Sequence, residues 1–254
     1  MNHITIIGTG NVATVLGKNF IQNNYCIKQI IGRREDAARE LSDALKCPYS
    51  LNLEAVNQHS ELYVIAVSDK AVAQIADEII IPEESIIVHT AGGVSINVFK
   101  DKFDRYGVLY PLQSLRKENN YLPEIPFFID GNNEAVKNSL YGFAKTISGK
   151  AAFADDLQRM KLHVAAVLTS NFPNFLYTLA YDFCNKQQID FSDFIPLMEE
   201  TVHRLKHFNP AEMQTGPAIR KDETTMEKHL QLLEDDATLH NVYSFLSGEI
   251  MKYF

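Results

Sequence analysis

A short glycine-containing segment near the N-terminus restricts the possible folds of this chain more than any other feature. In ITIIGTGNVATVL an apolar run at residues 4–7 leads directly into the motif GTGNVA, and a helical pattern follows over residues 11–23. A strand that turns sharply into a helix through G-x-G-x-x-G/A is typical of the first unit of a doubly wound sheet that binds a dinucleotide. The sequence therefore predicts such a sheet.

Each small residue of this motif has a physical role. The first glycine permits a tight turn, the second lets the backbone approach a diphosphate, and the alanine lets the helix pack closely on the strand. The first N–H groups of the helix then face the phosphates. Alternatively, the motif is a tight turn without a ligand. The predicted cofactor contacts are Gly8, Thr9, Gly10, Asn11, Val12 and Ala13.

The first 150 residues alternate between two hydrophobic periods. Short, fully apolar runs indicate buried strands, and amphipathic stretches between them indicate helices, which together favour a parallel sheet covered on both faces. The predicted strands are residues 4–7, 27–31, 62–67, 86–89, 108–110 and 126–129, and the predicted helices are residues 11–23, 35–46, 70–79 and 134–148.

Beyond residue 153 the pattern becomes helical throughout. Long helical periods cover residues 155–185, 193–207, 222–233 and 235–252, and Asp222 is a good N-cap for the third of them. We predict an α/β fold, a Rossmann-type doubly wound and mainly parallel sheet at residues 1–153, followed by an all-α domain at residues 154–254 for substrate binding and dimerisation.

Two adjacent arginines follow the second predicted strand. An acid that contacts the adenosine ribose is expected about 20 residues beyond the glycine motif, but this position is Gly32, followed by Arg33 and Arg34. A carboxylate at this position would repel a 2′-phosphate, whereas guanidinium groups bind one. The sequence therefore predicts NADP(H) rather than NAD(H). Alternatively, the two arginines are a solvated surface pair balanced by Glu35 and Asp36.

Further cofactor contacts are expected from later strand ends, because ligands of open α/β sheets bind outside the carboxyl ends of the strands. His89 also fits an ordinary position at the end of a strand. The candidates are Ala66, Val67 and Ser68 after one strand, His89 and Thr90 after the next, and Tyr110 and Gln113 after a third.

The helical pattern that begins the second half carries a polar stripe. On an α-helix His163, Ser170 and Asn174 share one face with Asn171 beside them, and the rest of the segment is apolar enough to predict a mostly buried helix. Pro173 removes a backbone hydrogen bond and predicts a kink. The stripe either faces a substrate or consists of core polar residues that bridge helices or subunits.

Composition excludes several classes of function. A net charge of −8 without a long basic block argues against nucleic-acid binding. No run approaches the roughly 20 apolar residues that span a bilayer, and no signal peptide is recognisable. The three scattered cysteines fit reduced cytoplasmic thiols better than disulfides. We therefore expect a cytoplasmic protein with no metal, because the histidines do not cluster like metal ligands.

Five segments together resemble a known family. GTGNVA, VHTAGG, YPLQSL, LHVAAVLTSNF and TGPAIRKD are similar to those of proteins with a Rossmann-like NADP-binding domain and a C-terminal helical domain of unknown function. That family is similar in architecture to pyrroline-5-carboxylate reductases, β-hydroxyacid dehydrogenases and deazaflavin-dependent NADP oxidoreductases. The resemblance implies a C-terminal domain like that of 6-phosphogluconate dehydrogenase. The resemblance implies NADP(H) binding, a small-molecule substrate in an interdomain cleft, and a homodimer formed through the helical domains.

One position departs from the pattern of the β-hydroxyacid dehydrogenases. Their long helix carries a catalytic lysine four residues before an asparagine, whereas Val167 precedes the matching Asn171 here. His163 is then the best candidate for a general acid, because imidazole titrates near neutral pH. Asn171 and Asn174 would orient a carbonyl or imine, so the predicted catalytic residues are His163, Asn171 and Asn174.

Two classes of function are compatible with these features. The leading hypothesis is an NADP(H)-dependent oxidoreductase that transfers a hydride to or from a small carbonyl or imine compound. The alternative is a non-catalytic NADP(H)-binding sensor or assembly subunit, which the missing lysine favours. A deazaflavin-linked reductase is a third possibility. Fold analogy alone does not decide among them.

Overall fold

The computed structural model describes all residues from Met1 to Phe254, and they form two compact units, Met1–Asn171 and Phe172–Phe254. The predicted division after residue 153 coincides with the end of the last strand. The first compact unit nevertheless continues through Asn171, because the helix that starts at Asp156 is bonded to a loop at the edge of the sheet.

The first unit is built on one eight-stranded sheet with the order β3-β2-β1-β4-β5-β6-β7-β8. All neighbouring strands are parallel except β6 and β7, which are antiparallel. The order of the first six strands is that of a Rossmann sheet, so the predicted fold class is confirmed. The strands are β1 His3–Ile7, β2 Cys26–Ile31, β3 Tyr49–Ser50, β4 Leu62–Ile65, β5 Ile86–His89, β6 Tyr106–Pro111, β7 Phe127–Gly131 and β8 Ala151–Phe153.

Nine α-helices accompany the sheet. No helix combines the length and apolar content that a membrane span requires. The first unit contains α1 Asn11–Gln22, α2 Glu35–Leu45, α3 Asp69–Glu78, α4 Glu134–Ile147 and α5 Asp156–Ala166, and the second unit contains α6 Phe172–Lys186, α7 Ile195–Arg204, α8 Glu223–Leu232 and α9 Ala237–Tyr253. The predicted N-cap of α8 is confirmed, because the Asp222 side chain accepts a hydrogen bond from the Thr225 backbone N–H at 3.1 Å.

The central strands are buried on both faces, which explains their unbroken apolar runs. All four residues of β4 and of β5 are buried. Two hydrophobic clusters lie on opposite faces, and the neighbouring Ile6 and Ile7 of β1 belong to different clusters, because successive side chains of a strand point to opposite sides. The carboxyl ends of these strands are therefore firmly positioned.

Two strands, β3 and β8, were not expected from the sequence. They contain only two and three residues and lie at the two edges of the sheet. A strand of this length shows no alternation of apolar and polar residues, and AAF lacks the β-branched residues that favour strands. Their position depends on the neighbouring strands rather than on their own sequence.

The single long helix predicted over residues 155–185 is divided. Between α5 and α6 the five residues Val167–Asn171 form a π-helical turn, directly before Pro173, which has no N–H to donate to the preceding turn. A π turn is wider than an α turn, so the α-helical spacing that was expected to align His163 with Ser170 and Asn174 does not apply across it.

The prediction that this segment is mostly buried is wrong for the single chain. The exposed fractions of Leu157, Val164 and Leu168 are 64%, 54% and 56%. Several apolar side chains of α6 and α9 are also exposed, including Phe175 and Phe245. These apolar side chains are present, as the sequence pattern required, and many of them are exposed.

Candidate functional site

One edge of the sheet collects most of the predicted site residues. Strands β2, β1, β4, β5 and β6 are mutually parallel, so all their carboxyl ends lie at the same edge. The chain order reverses between β1 and β4, and such a reversal opens a crevice in which doubly wound sheets bind ligands. The glycine motif, the arginine pair and the ends of β4, β5 and β6 all lie at this edge.

The backbone at Gly8 has a conformation that only glycine adopts readily. Its φ angle is +127°, and its N–H donates a hydrogen bond to the Ile31 carbonyl at 2.8 Å. A Cβ atom at this position would overlap the Ala66 carbonyl group at the end of β4. Gly8 therefore lets β1 turn within the narrow space between its two neighbouring strands.

The N-terminus of α1 is open and has no side-chain cap. Gly10 is the N-cap residue, so no side chain accepts a hydrogen bond from the first N–H groups, and a Cβ at Gly10 would meet no atom within 4 Å. The Ala13 side chain is fully buried. Free N–H groups that face open space at the positive end of a helix dipole form an anion-binding position.

A loop that the sequence did not indicate lies beside this helix terminus. The Lys117 N–H donates a hydrogen bond to Asn11 Oδ1 at 3.2 Å, and the Lys117 ammonium lies 3.2 Å from both carboxylate oxygens of Glu40. The Asn11 side chain therefore holds the loop between β6 and β7. The contact with Asn11 uses the backbone N–H of Lys117, so the residue type at position 117 gave no sequence signal for it.

The tip of β2 excludes an acidic residue by its packing. A Cβ at Gly32 would lie 2.7 Å from Thr9 Cγ2 and 2.9 Å from Ala38 Cβ, so no carboxylate-bearing side chain fits there. The Arg34 guanidinium donates two hydrogen bonds to the Asp36 carboxylate, at 3.1 and 3.2 Å. Arg33 is exposed and has no ion pair, so its guanidinium is available to an anion.

The residues at the ends of β4 and β5 differ in burial and in free polar groups. Ala66 is buried, and Val67 lies close to the Gly8 turn. Ser68 is the exposed N-cap of α3, and its hydroxyl makes no capping hydrogen bond. The Thr90 hydroxyl is buried and donates to the Ile65 carbonyl at 3.4 Å. Of these four residues, Ser68 offers a free polar group at the edge.

His89 faces the hydrophobic core rather than the edge. Its side chain is fully buried, and its ring lies 5.6 Å from the ring of Phe99. Burial lowers the pKa of His89 from 6.5 to about 4, with a further lowering from the nearby Arg159 cation. This burial turns the His89 side chain away from the edge, and a contact between residue 89 and a cofactor stays a prediction.

The buried His89 makes stability depend on pH. The pKa of His89 is about 4 in the folded protein, whereas its ordinary value, which applies to the unfolded chain, is 6.5. As pH falls from 6.5 towards 4 the unfolded chain therefore takes up a proton that the folded protein does not, and the folded state loses stability. The loss should total about 3 kcal/mol. We expect the free energy of urea unfolding to fall less steeply over this range in His89→Asn than in the wild type. The exposed His59→Asn should keep the wild-type slope, and equal slopes for all three proteins would contradict the assignment.

An ion pair between a buried arginine and a half-buried aspartate fixes the loop that follows β5. Arg159 is 1% exposed and donates to the Asp156 carboxylate and to the Val94 carbonyl, both at 2.6 Å. Asp156 also accepts hydrogen bonds from the Ser95 hydroxyl and the Ile96 N–H. These bonds join the first turn of α5 to the loop. The sequence signal was a lone arginine four residues before His163, on the same helix face.

His163 lies against this loop and against β6. Its Nδ1 atom is 3.2 Å from the Tyr110 hydroxyl. A Cβ at Gly92 would lie 3.0 Å from His163 Nδ1 and 3.0 Å from Tyr110 Cε2, so a larger residue there would press on both rings. His163 itself is exposed, whereas Tyr110 is buried. An exposed imidazole is therefore held at the carboxyl edge within the same compact unit as the glycine turn.

The other predicted catalytic residues are less constrained. Asn171 ends the π turn of the first unit, and Asn174 lies in α6 of the second; both are exposed. Their placement beside His163 stays a prediction. No group of three or more His, Cys, Asp or Glu side chains is arranged to hold a metal ion.

The residues at this edge fit a phosphorylated dinucleotide. The uncapped helix terminus suits a diphosphate, the packed Gly32 leaves no position for a ribose-binding acid, and the unpaired Arg33 suits a 2′-phosphate. Fold and site together define a Rossmann-type dinucleotide-binding protein.

Comparison with known proteins identifies the family. Residues 3–93 match the family model described as NADP oxidoreductase coenzyme F420-dependent, and residues 125–250 match a domain of unknown function, DUF2520. A protein of Bacteroides fragilis classed as an NADP oxidoreductase is 37% identical, with a TM-score of 0.94 over 99% of this chain and 98% of that one. The chain belongs to this family of NADP oxidoreductases, whose cofactor is NADP.

More distant solved structures share the fold. A pyrroline-5-carboxylate reductase of Streptococcus pyogenes is 14% identical, with a TM-score of 0.61 over 98% of both chains. An imine reductase of Myxococcus stipitatus in complex with NADP+ is also 14% identical, with a TM-score of 0.64 over 98% of this chain and 92% of that one. A search of curated proteins found no match. The predicted resemblance is confirmed.

Proposed function

We propose that this protein is an NADP(H)-dependent oxidoreductase that transfers a hydride to or from a small carbonyl or imine substrate. The observation that carries the proposal is the position of His163. A group that can hold a proton is exposed at the carboxyl edge of the sheet, fixed by Tyr110 and the Gly92 backbone. The imine reductase with the same fold, which binds NADP+, supports this class of chemistry.

Different residues at the edge bind different parts of the cofactor. The glycine turn and the α1 terminus hold the diphosphate, and Arg33 binds the 2′-phosphate, while Ala66, Val67, Ser68 and Thr90 line the path towards the end of β5. When bound, the reduced nicotinamide supplies a hydride. His163 supplies the proton that the substrate nitrogen or oxygen requires, and Asn171, in the same compact unit, orients the substrate by hydrogen bonds.

Replacing Arg33 with alanine should change cofactor selectivity. A hydrogen-bonded charged pair contributes about 1.5–3 kcal/mol, so we expect the Kd for NADPH to rise by about 10- to 100-fold in Arg33→Ala. The Kd for NADH should change by less than about 2-fold, since NADH has no 2′-phosphate for Arg33 to bind. Isothermal titration calorimetry with both cofactors measures the ratio.

The neighbouring arginine provides a matched control. Arg34 is already paired with Asp36, so Arg34→Ala should lower NADPH affinity less than Arg33→Ala. An unchanged NADPH-to-NADH affinity ratio in Arg33→Ala would show that the arginine pair is only a solvated surface feature.

The reaction itself is tested by substrate screening. Purified protein with NADPH is mixed with keto acids, cyclic imines and oxidised deazaflavins, and NADPH oxidation is followed by absorbance at the nicotinamide band. We expect turnover with a carbonyl or imine compound. Turnover with deazaflavins alone would identify a deazaflavin-linked reductase, and tight NADPH binding without any turnover would refute the enzymatic proposal.

A non-catalytic NADP(H) sensor or assembly subunit is the second candidate. The observation in its favour is Val167, which occupies the position of the catalytic lysine expected from the β-hydroxyacid dehydrogenases. Val167 cannot transfer a proton. In this case the screen would give no turnover, and NADPH binding would instead change the association state of the protein.

We also propose that the protein forms a homodimer through its helical part. The exposed apolar side chains of α5, the π turn, α6 and α9 support this proposal, because large exposed apolar surfaces usually mark interaction sites. Sedimentation velocity at micromolar concentration should show a dimer. A monomer under these conditions would contradict the proposal.

A further inference from the structure

Tyr110 is the one polar side chain of the sheet that makes a direct hydrogen bond to His163. It lies near the end of β6, and its hydroxyl is 3.2 Å from His163 Nδ1. The two rings meet edge to face, with centroids 6.3 Å apart at 71°. This contact uses one ring nitrogen of the exposed imidazole and leaves Nε2 without a partner in the protein.

The surroundings restrict movement of both rings. The Tyr110 side chain is buried, and the loop at Gly92 lies so near that a Cβ atom there would be 3.0 Å from His163 Nδ1 and from Tyr110 Cε2. The bonds of Asp156 and Arg159 to residues 94–96 hold this loop in place. The His163 ring is thus exposed to solvent but has a buried phenol and a hydrogen-bonded loop beside it.

Burial also determines the ionisation of the phenol. It raises the pKa of Tyr110, while the Arg159 cation lowers it and the Asp69 carboxylate raises it. The phenol therefore stays protonated at neutral pH. A neutral phenol that does not ionise can serve as a stable hydrogen-bond partner rather than as a source of protons.

We propose that Tyr110 is a positioning residue that accepts a hydrogen bond from His163 Nδ1–H and so makes Nε2 the nitrogen that exchanges the catalytic proton. The inference rests on the proposed function. The imidazolium that supplies the proton carries hydrogen on both ring nitrogens, so its Nδ1–H can only donate to the Tyr110 oxygen, and loss of the Nε2 proton leaves the neutral imidazole with its proton on Nδ1. Tyr110 then selects both the tautomer and the direction of the ring.

The proton balance of the reductive direction follows. The substrate carbon gains the hydride, and the π electron pair of its double bond moves to the nitrogen or oxygen. That atom takes the proton from Nε2 of the His163 imidazolium, whose N–H electron pair stays on the ring. His163 becomes neutral with its Nδ1–H still bonded to the Tyr110 oxygen, and Tyr110 neither gains nor loses a proton.

The tautomer of His163 tests this proposal without any substrate. Protein with ¹⁵N-labelled histidine is recorded in long-range ¹H–¹⁵N NMR spectra at a pH at which His163 is neutral, and the His163 signals are assigned by their loss in His163→Asn. We expect the Nδ1–H tautomer in the wild type and a shift towards Nε2–H in Tyr110→Phe. A wild-type Nε2–H tautomer, or no change in Tyr110→Phe, would overturn the proposal.

Two further variants separate positioning from general damage. Tyr106→Phe removes a hydroxyl from the other end of the same strand and should leave the His163 signals unchanged. Gly92→Ala pushes a methyl group against both rings and should also weaken the Nδ1–H preference, which keeps the test decisive if Tyr110→Phe does not fold. Because the spectra need no turnover, a failed substrate screen would refute the proposed function without deciding the tautomer.

Discussion

Replacing Gly8 with alanine should abolish NADPH binding and lower the free energy of unfolding by about 3 kcal/mol or more. Two effects add at this position. Its φ of +127° is rarely available to an L-residue, and the new methyl group would overlap the Ala66 carbonyl. The overlapping atom belongs to the backbone of a buried strand end, which cannot rotate away like a flexible side chain.

The measurement combines urea unfolding with calorimetric titration of NADPH. Gly142→Ala is the matched control, because Gly142 lies inside α4 and a Cβ there meets no atom within 4 Å. This variant should be unchanged or more stable by up to about 1 kcal/mol, since alanine favours helices over glycine. If Gly8→Ala bound NADPH normally, the turn would not be the diphosphate site.

Replacing His163 with asparagine should lower kcat by about 10²- to 10⁴-fold, the usual contribution of a positioned general acid. Asparagine can still form hydrogen bonds but cannot hold a transferable proton. The Kd for NADPH should stay within about 2-fold of the wild type, because His163 is not among the residues proposed to hold the phosphates. NADPH oxidation with the compound that gives turnover in the screen, measured at saturation, provides kcat.

His59→Asn serves as the control for His163→Asn. His59 is exposed and precedes β4, at the opposite edge of the sheet from the proposed site. This variant should retain the wild-type kcat. Wild-type kcat in His163→Asn would remove the general-acid role while leaving the cofactor site intact.

The sheet could be predicted because its central strands are buried on both faces. Residues 86–89 form β5 as expected, and the helix expected over residues 35–46 ends one residue earlier, at Leu45. In contrast, β3 and β8 are strands only because neighbouring backbones pair with them. The π turn before Pro173 also could not be predicted, since the proline indicates a disturbance but not its form.

The candidate site was only partly visible in the sequence for a similar reason. The glycine turn and Arg33 belong to one local motif, so their spacing along the chain indicated their role. The contacts of Tyr110 with His163 and of Lys117 with Asn11 join residues 53 and 106 positions apart. Such contacts arise from the arrangement of strands in the sheet. The burial of the His89 side chain was not visible either, because a strand-end position does not reveal which face its side chain takes.

Only one of the three thiols is accessible to solvent, so the native protein can be labelled at a single cysteine. Cys26 is exposed at the amino end of β2, whereas Cys47 and Cys184 are buried, and burial raises the pKa of Cys47 to about 11. A maleimide dye reacts with accessible thiolates and would therefore attach at Cys26. Since this end of β2 is remote from the Arg33 end, fluorescence anisotropy could follow association of subunits without engineered cysteines.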